Sequence, residues 1–105
     1  MDNFDKRKKS FETKFILDEE NEFKAKVMAS KLFGQWAAEE MKMAAEDVNI
    51  YAKSLIDLSV TSKEFDPIIK HVEHDLLKHG IKSNESHLEE IFFNKLEICK
   101  AKLAN

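Results

Sequence analysis

The sequence predicts an all-α protein: a four-helix bundle with a long first helix whose N-terminal part overhangs as a mobile arm. The chain has 105 residues, of which only two are glycine and one is proline, so little material is left for turns or sheets. The many alanines, leucines, glutamates and lysines favour helices. Apolar residues recur at steps of three and four in successive segments, as amphipathic helices require. A chain of this length is expected to fold as one domain without a metal or a disulfide.

The first predicted helix is too long for the rest of the bundle. No proline interrupts the chain between Asp5 and Met41, and a continuous helix over this range would measure about 55 Å at about 1.5 Å per residue. The helix that begins near Pro67 would measure only about 20 Å. Part of the first helix must therefore extend beyond the bundle.

Hydrophobic periodicity indicates which part overhangs. Residues 27–38, "VMASKLFGQWAA", are apolar nearly all round, as expected of a helix at the centre of a core. A narrow stripe of phenylalanines near the N-terminus points in another direction, with its rings within about 40° of one another and charged residues on both sides. The stripe consists of Phe4, Phe11 and Phe15. We divide the chain into an N-terminal arm, residues 1–18, expected to be partly disordered when free, and a helical bundle, residues 19–105.

Local signals delimit the second and third helices. The second is predicted to span 45–60, followed by a short polar link. For the third, Asp66 offers an N-cap and Pro67 is suited to the first helical position. His79 and Gly80 then provide a cationic last turn and a C-terminal stop.

The fourth helix is expected to be capped by Ser83 or by Ser86, the latter with Glu89 at capping-box spacing. Periodicity places one apolar face of each of these three helices in the core of the bundle. The predicted core residues from these helices are Tyr51, Leu55, Ile68, Val72, Leu76, Ile91, Phe92, Leu96 and Cys99.

Four short strings resemble a known family. "FETKF" at 11–15, "FKAK" at 23–26, "KLFGQWAAE" at 31–39 and "YAK" at 51–53 resemble the zeta subunit of alphaproteobacterial F-type ATP synthases. The resemblance implies a four-helix bundle that anchors an N-terminal inhibitory segment. In that family the segment enters a catalytic interface of the head, formed by the alpha, beta and gamma subunits, and prevents the closure that ATP hydrolysis requires.

The resemblance also implies roles for individual residues. The arm residues that match the family patterns "FDxR" and "FExKF", and would contact the head, are Phe4, Asp5, Arg7, Phe11, Glu12, Lys14 and Phe15. The residues that match the family's bundle core are Phe23, Leu32, Gly34, Trp36 and Ala37. The family commonly has acids around positions 6 and 8, where this chain has lysines. Inhibitory strength therefore does not follow from the resemblance alone.

A second interpretation belongs to another class of protein. The chain could be a small cytosolic helical adaptor that has lost inhibitory activity and binds a different protein. The arm discriminates between the two interpretations. If Phe4, Phe11 and Phe15 pack back onto the bundle in the free protein, the adaptor interpretation gains support.

Other function classes receive little support from the sequence. A net charge of −3 argues against nucleic acid as a partner, despite the basic run at 6–9. His71 and His74 have the i, i+3 spacing of metal ligands but lie off the apolar face, and no third ligand is evident, so we expect no metal and no cofactor. No glycine-rich phosphate loop or nucleophile–base pair suggests an enzyme. We expect a cytoplasmic protein, monomeric when free, peripheral to the inner membrane when bound to ATP synthase and not inserted into the membrane.

Overall fold

The computed structural model of the protein describes residues 17–104. This part of the chain forms four α-helices and contains no strand, which confirms the predicted all-α four-helix fold. The helices are α1 (Glu19–Glu40), α2 (Ala45–Thr61), α3 (Asp66–Lys78) and α4 (Glu85–Ala104). None of these helices is both long enough and apolar enough to cross a lipid bilayer.

Helix α1 begins much later than the sequence predicts. Asp18 has an extended backbone (φ −73°, ψ 172°), and its carboxylate accepts a hydrogen bond from the backbone N–H of Asn21 at 2.8 Å. The prediction of one continuous helix from Asp5 to Met41 is therefore wrong at Leu17 and Asp18, which are not helical, whereas the predicted end at Met41 is the observed C-cap. An aspartate side chain can accept the hydrogen bond of a backbone N–H in the first turn, which would otherwise go to a carbonyl of the preceding turn. It therefore starts a helix at a position where helix propensity alone would continue one.

Helix α1 is the central element of the bundle. It contacts the other three helices and packs most extensively against α2 and α4. Phe33 is fully buried and meets Phe92 of α4 edge to face, with ring centroids 5.4 Å apart. Phe65, in the α2–α3 loop, covers the same cluster at 5.2 Å from Phe92 and 5.4 Å from Phe93. These aromatic contacts join helices that are far apart in the sequence.

Helices α1 and α2 approach closely at Gly34. A Cβ atom at this position would lie 2.8 Å from the Cα of Ala52 and 3.1 Å from a methyl carbon of Leu55. The glycine is therefore required by the contact between two backbones rather than by its own dihedral angles.

Most predicted core residues lie in the interior of the bundle. Those that are buried are Gly34, Ala37, Leu55, Ile68, Val72, Leu76, Phe92, Leu96 and Cys99. Those that are partly buried against the core are Leu32, Trp36, Tyr51 and Ile91. Their burial is consistent with helical periodicity in all four elements.

Phe23 does not belong to the core, contrary to the prediction. Its side chain is 48% exposed. The buried face of α1 runs through Ala25, Lys26 and Ala29, and one turn before them the partly exposed Glu22 pairs with Lys100 of α4. Since successive helical residues are rotated by about 100°, Phe23 is turned away from that contact and toward the surface.

Two helix caps also differ from the predictions. Asn84 caps α4, because its side-chain oxygen accepts from the backbone N–H of His87 at 2.7 Å. Neither predicted serine does so, and the hydroxyl of Ser83 is buried without a hydrogen-bond partner. In α3 the N-cap is Phe65, so Asp66 is the first helical residue rather than the cap.

Candidate functional site

The predicted inhibitory arm lies almost wholly outside the described residues. Its proposed contact residues, which the structure does not describe, are Phe4, Asp5, Arg7, Phe11, Glu12, Lys14 and Phe15. The chain enters the described part at Leu17, which is partly buried against the core, and Asp18 then caps α1. The end of the bundle around Asp18 is therefore the place where the arm is attached.

A groove opens in the surface next to this attachment point. It lies between the first two turns of α1 and the end of α2 with its following loop, and has a volume of about 560 Å³. Its lining residues are Glu19, Glu22, Phe23, Lys26, Val60, Thr61, Ser62, Lys63 and Phe65. We call this feature the arm-base groove. Two of its apolar side chains are unusually exposed, Phe23 at 48% and Val60 at 55%.

Lys26 forms one side of the arm-base groove and ties α1 to the α2–α3 loop. Its Nζ donates a hydrogen bond to the backbone carbonyl of Ser62 and lies 5.8 Å from the centre of the Phe65 ring. Burial lowers the pKa of Lys26 from its ordinary value, an effect that the nearby charge of Glu64 opposes. A lysine in this position holds the loop against α1 through both a hydrogen bond and a cation–π contact.

Lys100 ties the same turn of α1 to α4. Its side chain is only 1% exposed, and its Nζ lies 3.1 Å from the carboxylate of Glu22. A buried cation of this kind is costly unless it is paired, so the ion pair determines where Glu22 points. Together, Lys26 and Lys100 hold the first turns of α1 from two sides, and the arm is attached to a fixed base.

A second polar cluster joins α2 to α3, away from the arm. The hydroxyl of Tyr51 donates to Asp75 at 2.8 Å, and Nε2 of His71 lies 3.1 Å from the same carboxylate oxygen. Burial, and then the hydrogen bond and the negative charge of Asp75, raise the pKa of Tyr51 well above its ordinary value. His71 therefore contacts a carboxylate in the next turn of α3. His74, its partner in the spacing noted from the sequence, is exposed on the same helix.

The structure places three carboxylates together that the sequence did not suggest as neighbours. Oxygens of Asp66, at the start of α3, and of Glu85 and Glu89, in the first turns of α4, lie within 4.8 Å of one another. Asp66 lies at least 19 residues before both glutamates in the sequence. Only the packing of α3 against α4 therefore reveals the cluster.

Cys99 is a buried thiol on the inward face of α4. Burial raises its pKa, although the charge of Lys102 acts in the opposite direction. Because the thiolate is the reactive form, this cysteine is suited to packing rather than to nucleophilic chemistry.

A family model described as ATPase inhibitor subunit zeta matches residues 1–102. The match covers both the bundle and the arm, including the sixteen N-terminal residues that the structure does not describe. No curated protein matches the chain significantly, and no solved structure does so.

Proposed function

Because the chain belongs to the ATPase inhibitor subunit zeta family, we propose that it is a regulatory subunit that inhibits ATP hydrolysis by an F-type ATP synthase. The proposed partner is the catalytic head, and the protein would be cytoplasmic and peripheral to the membrane when bound. In this role the chain is a non-catalytic regulator.

The proposed mechanism is insertion of the arm, residues 1–18, at a catalytic interface of the head, in contact with the alpha, beta and gamma subunits. Phe4, Phe11 and Phe15 would share one face if the arm is helical when bound, and each ring contributes about 2–3 kcal/mol when fully buried. Arg7 and Lys14 would pair with acidic groups, and the strength of these pairs depends on how completely water is excluded. A helix held in the interface acts as a wedge against the closure that hydrolysis needs.

One observation carries this proposal: the family match begins at residue 1 and therefore includes the arm. A match restricted to the four helices would support a shared scaffold only. The geometry at Asp18 is consistent with the proposal, because Lys26 and Lys100 immobilise the base from which the arm extends. A fixed base reduces the conformational entropy lost when the arm binds.

The test is a titration of ATP hydrolysis by the cognate F-type ATPase with the full-length protein. The wild type should inhibit, and the double variant Phe11→Ala/Phe15→Ala should inhibit at least about 30-fold more weakly, which corresponds to ~2 kcal/mol. Leu77→Ala is the matched control, since Leu77 is an exposed apolar residue (59%) on α3. Binding of the wild type without any effect on hydrolysis, or no binding at all, would instead favour the adaptor interpretation.

A further inference from the structure

We propose that a second groove, between α1 and the end of α4, binds an acidic segment of a partner protein and receives an apolar side chain of that segment beside its carboxylates. The groove has a volume of about 230 Å³. We call it the lysine groove, and its lining residues are Met28, Lys31, Leu32, Gln35 and Lys102. The proposed contact goes beyond inhibition by the arm, which does not use this part of the bundle.

The charges that line the lysine groove have one sign. Its charged lining residues are Lys31 on α1 and Lys102 on α4, and no acidic side chain lines it. Both lysines are exposed, and neither forms an ion pair with another residue of the described chain. Lys24, on the same helix as Lys31, is instead paired with Glu20 at 3.3 Å. The lysine groove therefore presents two cations without a partner.

The sequence explains why these cations are not neutralised by their own helices. Acidic residues three or four positions away are the usual local partners of a helical lysine. No such acid is present within either helix: the residues at these positions are Val27, Met28, Gly34 and Gln35 for Lys31, and Ile98 and Cys99 for Lys102. A chain with a net charge of −3 thus keeps a local positive site, which would attract a negatively charged partner.

The floor of the lysine groove supplies apolar surface. Met28 and Leu32 lie one turn apart on α1, and both pack against the core while remaining partly exposed. An apolar side chain inserted between them would remove this surface from water. The unbranched methionine can adjust its rotamer to side chains of different shapes. A carboxylate next to the inserted side chain would then meet Lys31 or Lys102, which adds specificity.

The geometry of the lysine groove favours a protein segment over a phosphate-bearing ligand. Its volume of about 230 Å³ is below the roughly 300–1,000 Å³ of pockets for small molecules. Neither helix begins at this groove, since α1 starts at Glu19 and α4 at Glu85, so no free N–H groups of a helix N-terminus are available for phosphate. Two lysines are also fewer than the roughly four to eight cations of segments that bind anionic membranes.

The first test is an NMR titration of the isotope-labelled full-length protein with a short amphipathic peptide of leucine and glutamate. Amide shifts should saturate and concentrate at residues 28–35 and 98–104. The same peptide with lysine in place of glutamate should bind at least about tenfold more weakly, because its charges repel those of the groove. Saturable shifts centred elsewhere, or equal binding of the two peptides, would overturn the proposal.

Charge reversal provides the second test. The double variant Lys31→Glu/Lys102→Glu should bind the glutamate peptide at least about tenfold more weakly and the lysine peptide more tightly than the wild type does. Lys70→Glu/Lys82→Glu is the matched control, because both residues are exposed outside the groove and the net charge changes equally. Circular dichroism verifies that each variant is folded. Equal losses in the two variants would show a general charge effect and would contradict a specific site.

A third variant tests the apolar part of the contact. Met28→Gln keeps the length of the side chain and the charge of the groove, and should weaken binding of the glutamate peptide about threefold. Unchanged binding would show that charge alone attracts the peptide and would overturn the proposed mode of docking. Inorganic phosphate and vesicles of anionic lipid are titrated in parallel. Saturable binding of either at residues 28–35, with no binding of the peptide, would replace the protein segment by that ligand.

These titrations contain no ATPase, so their outcome is independent of the proposed function. Loss of inhibition in Phe11→Ala/Phe15→Ala with normal peptide binding would leave both proposals standing. Failure of the wild type to inhibit would remove the proposed function alone, whereas failure of the wild type to bind the glutamate peptide would remove the lysine groove contact alone.

Discussion

At the scale of single residues, the Tyr51–Asp75–His71 cluster shows how one carboxylate organises a helix contact. Asp75 accepts from the Tyr51 hydroxyl of α2 and contacts His71 of its own helix, and the rings of Tyr51 and His71 are stacked with centroids 6.4 Å apart. Burial of the phenol and its bond to Asp75 both disfavour the phenolate. The contact between α2 and α3 therefore depends on a neutral tyrosine.

The first prediction concerns the titration of this tyrosine, the only one in the chain. The pKa of Tyr51 is higher in the folded than in the unfolded protein. The stability that it contributes is thus fully present below the unfolded value of about 10 and is lost as the pH rises through the folded value. We expect the ultraviolet absorbance of tyrosinate to appear only together with loss of the helical circular dichroism signal. Ionisation near pH 10 in a protein that is still folded would contradict this expectation.

The variant Asp75→Asn tests the cause of the shift. It removes the negative charge while keeping a hydrogen-bond acceptor, so tyrosinate should appear at a lower pH than in the wild type. Burial remains in this variant, and the pKa should still exceed the ordinary value. His74→Gln, at an exposed position on the same helix, is the control and should leave the titration unchanged.

At the scale of elements, the packing of α1 on α2 depends on Gly34, which has no side chain. The close approach at Gly34 brings two helix backbones nearer than a Cβ atom allows, and the limiting neighbour is the Cα of Ala52 rather than a flexible side-chain end. Helix propensity alone would favour alanine over glycine here by about 1 kcal/mol. The steric requirement is stronger, because a backbone atom can move only if the whole helix moves.

The second prediction is that Gly34→Ala destabilises the protein by about 1–2 kcal/mol, despite the gain in helix propensity. The new methyl group would lie 2.8 Å from the Cα of Ala52, so α2 must shift away from α1. Urea denaturation measures the difference in the free energy of unfolding. Lys31→Ala, on the exposed side of α1, is the control and should change this free energy by less than about 0.5 kcal/mol. A more stable Gly34→Ala variant would show that propensity decides at this site.

The third prediction concerns the start of α4. Replacing Asn84 with alanine removes the acceptor for the backbone N–H of His87 and should cost about 1 kcal/mol of stability. Ser86→Ala is the matched control, because Ser86 lies inside the helix and should change stability by less than about 0.5 kcal/mol. Equal losses at the two positions, measured by thermal denaturation, would show that the cap is not specific to Asn84.

At the scale of the whole molecule, the described part of the chain is a self-contained bundle around α1. Its buried side chains come from all four helices, and the described chain begins at Leu17, which is partly buried against this core, and at Asp18, which caps α1. The polar ties of Lys26 and Lys100 then hold the start of α1 to the α2–α3 loop and to α4. This arrangement suits a division between a scaffold and an inhibitory arm.

The fourth prediction is that deletion of residues 1–16 leaves the bundle folded and abolishes inhibition. Leu17 and the Asp18 cap are retained, so the melting temperature should change by less than about 4 °C, the shift expected for a loss below about 1 kcal/mol. Thermal denaturation and the ATPase titration are measured on the same preparation. A deletion variant that is unfolded at room temperature, or one that still inhibits, would contradict the division into scaffold and arm.

Much of the fold could be predicted because its signals are local. The observed bounds of α2 and α3 lie within a few residues of the predicted ones, since Pro67 and Gly80 act on their own turns of backbone. The apolar periodicity of α3 and α4 identified their buried faces for the same reason, because it depends only on helix geometry. The resemblance of short strings to the zeta family also required only the order of residues.

The sequence by itself thus determined the helices, their inward faces and the family of this protein. Only the structure showed that Asp18 caps α1, that Asn84 rather than a serine caps α4, and that Phe23 faces the arm-base groove. In each case several residues were locally acceptable for one position. At the two caps the choice lies between neighbouring polar side chains of similar capping strength, whereas the groove at Phe23 forms because the end of α2 and its following loop pack beside α1. Periodicity resolves neither kind of choice, because it reports which face of a helix is apolar and carries no information on cap geometry or on the surface that a neighbouring helix presents.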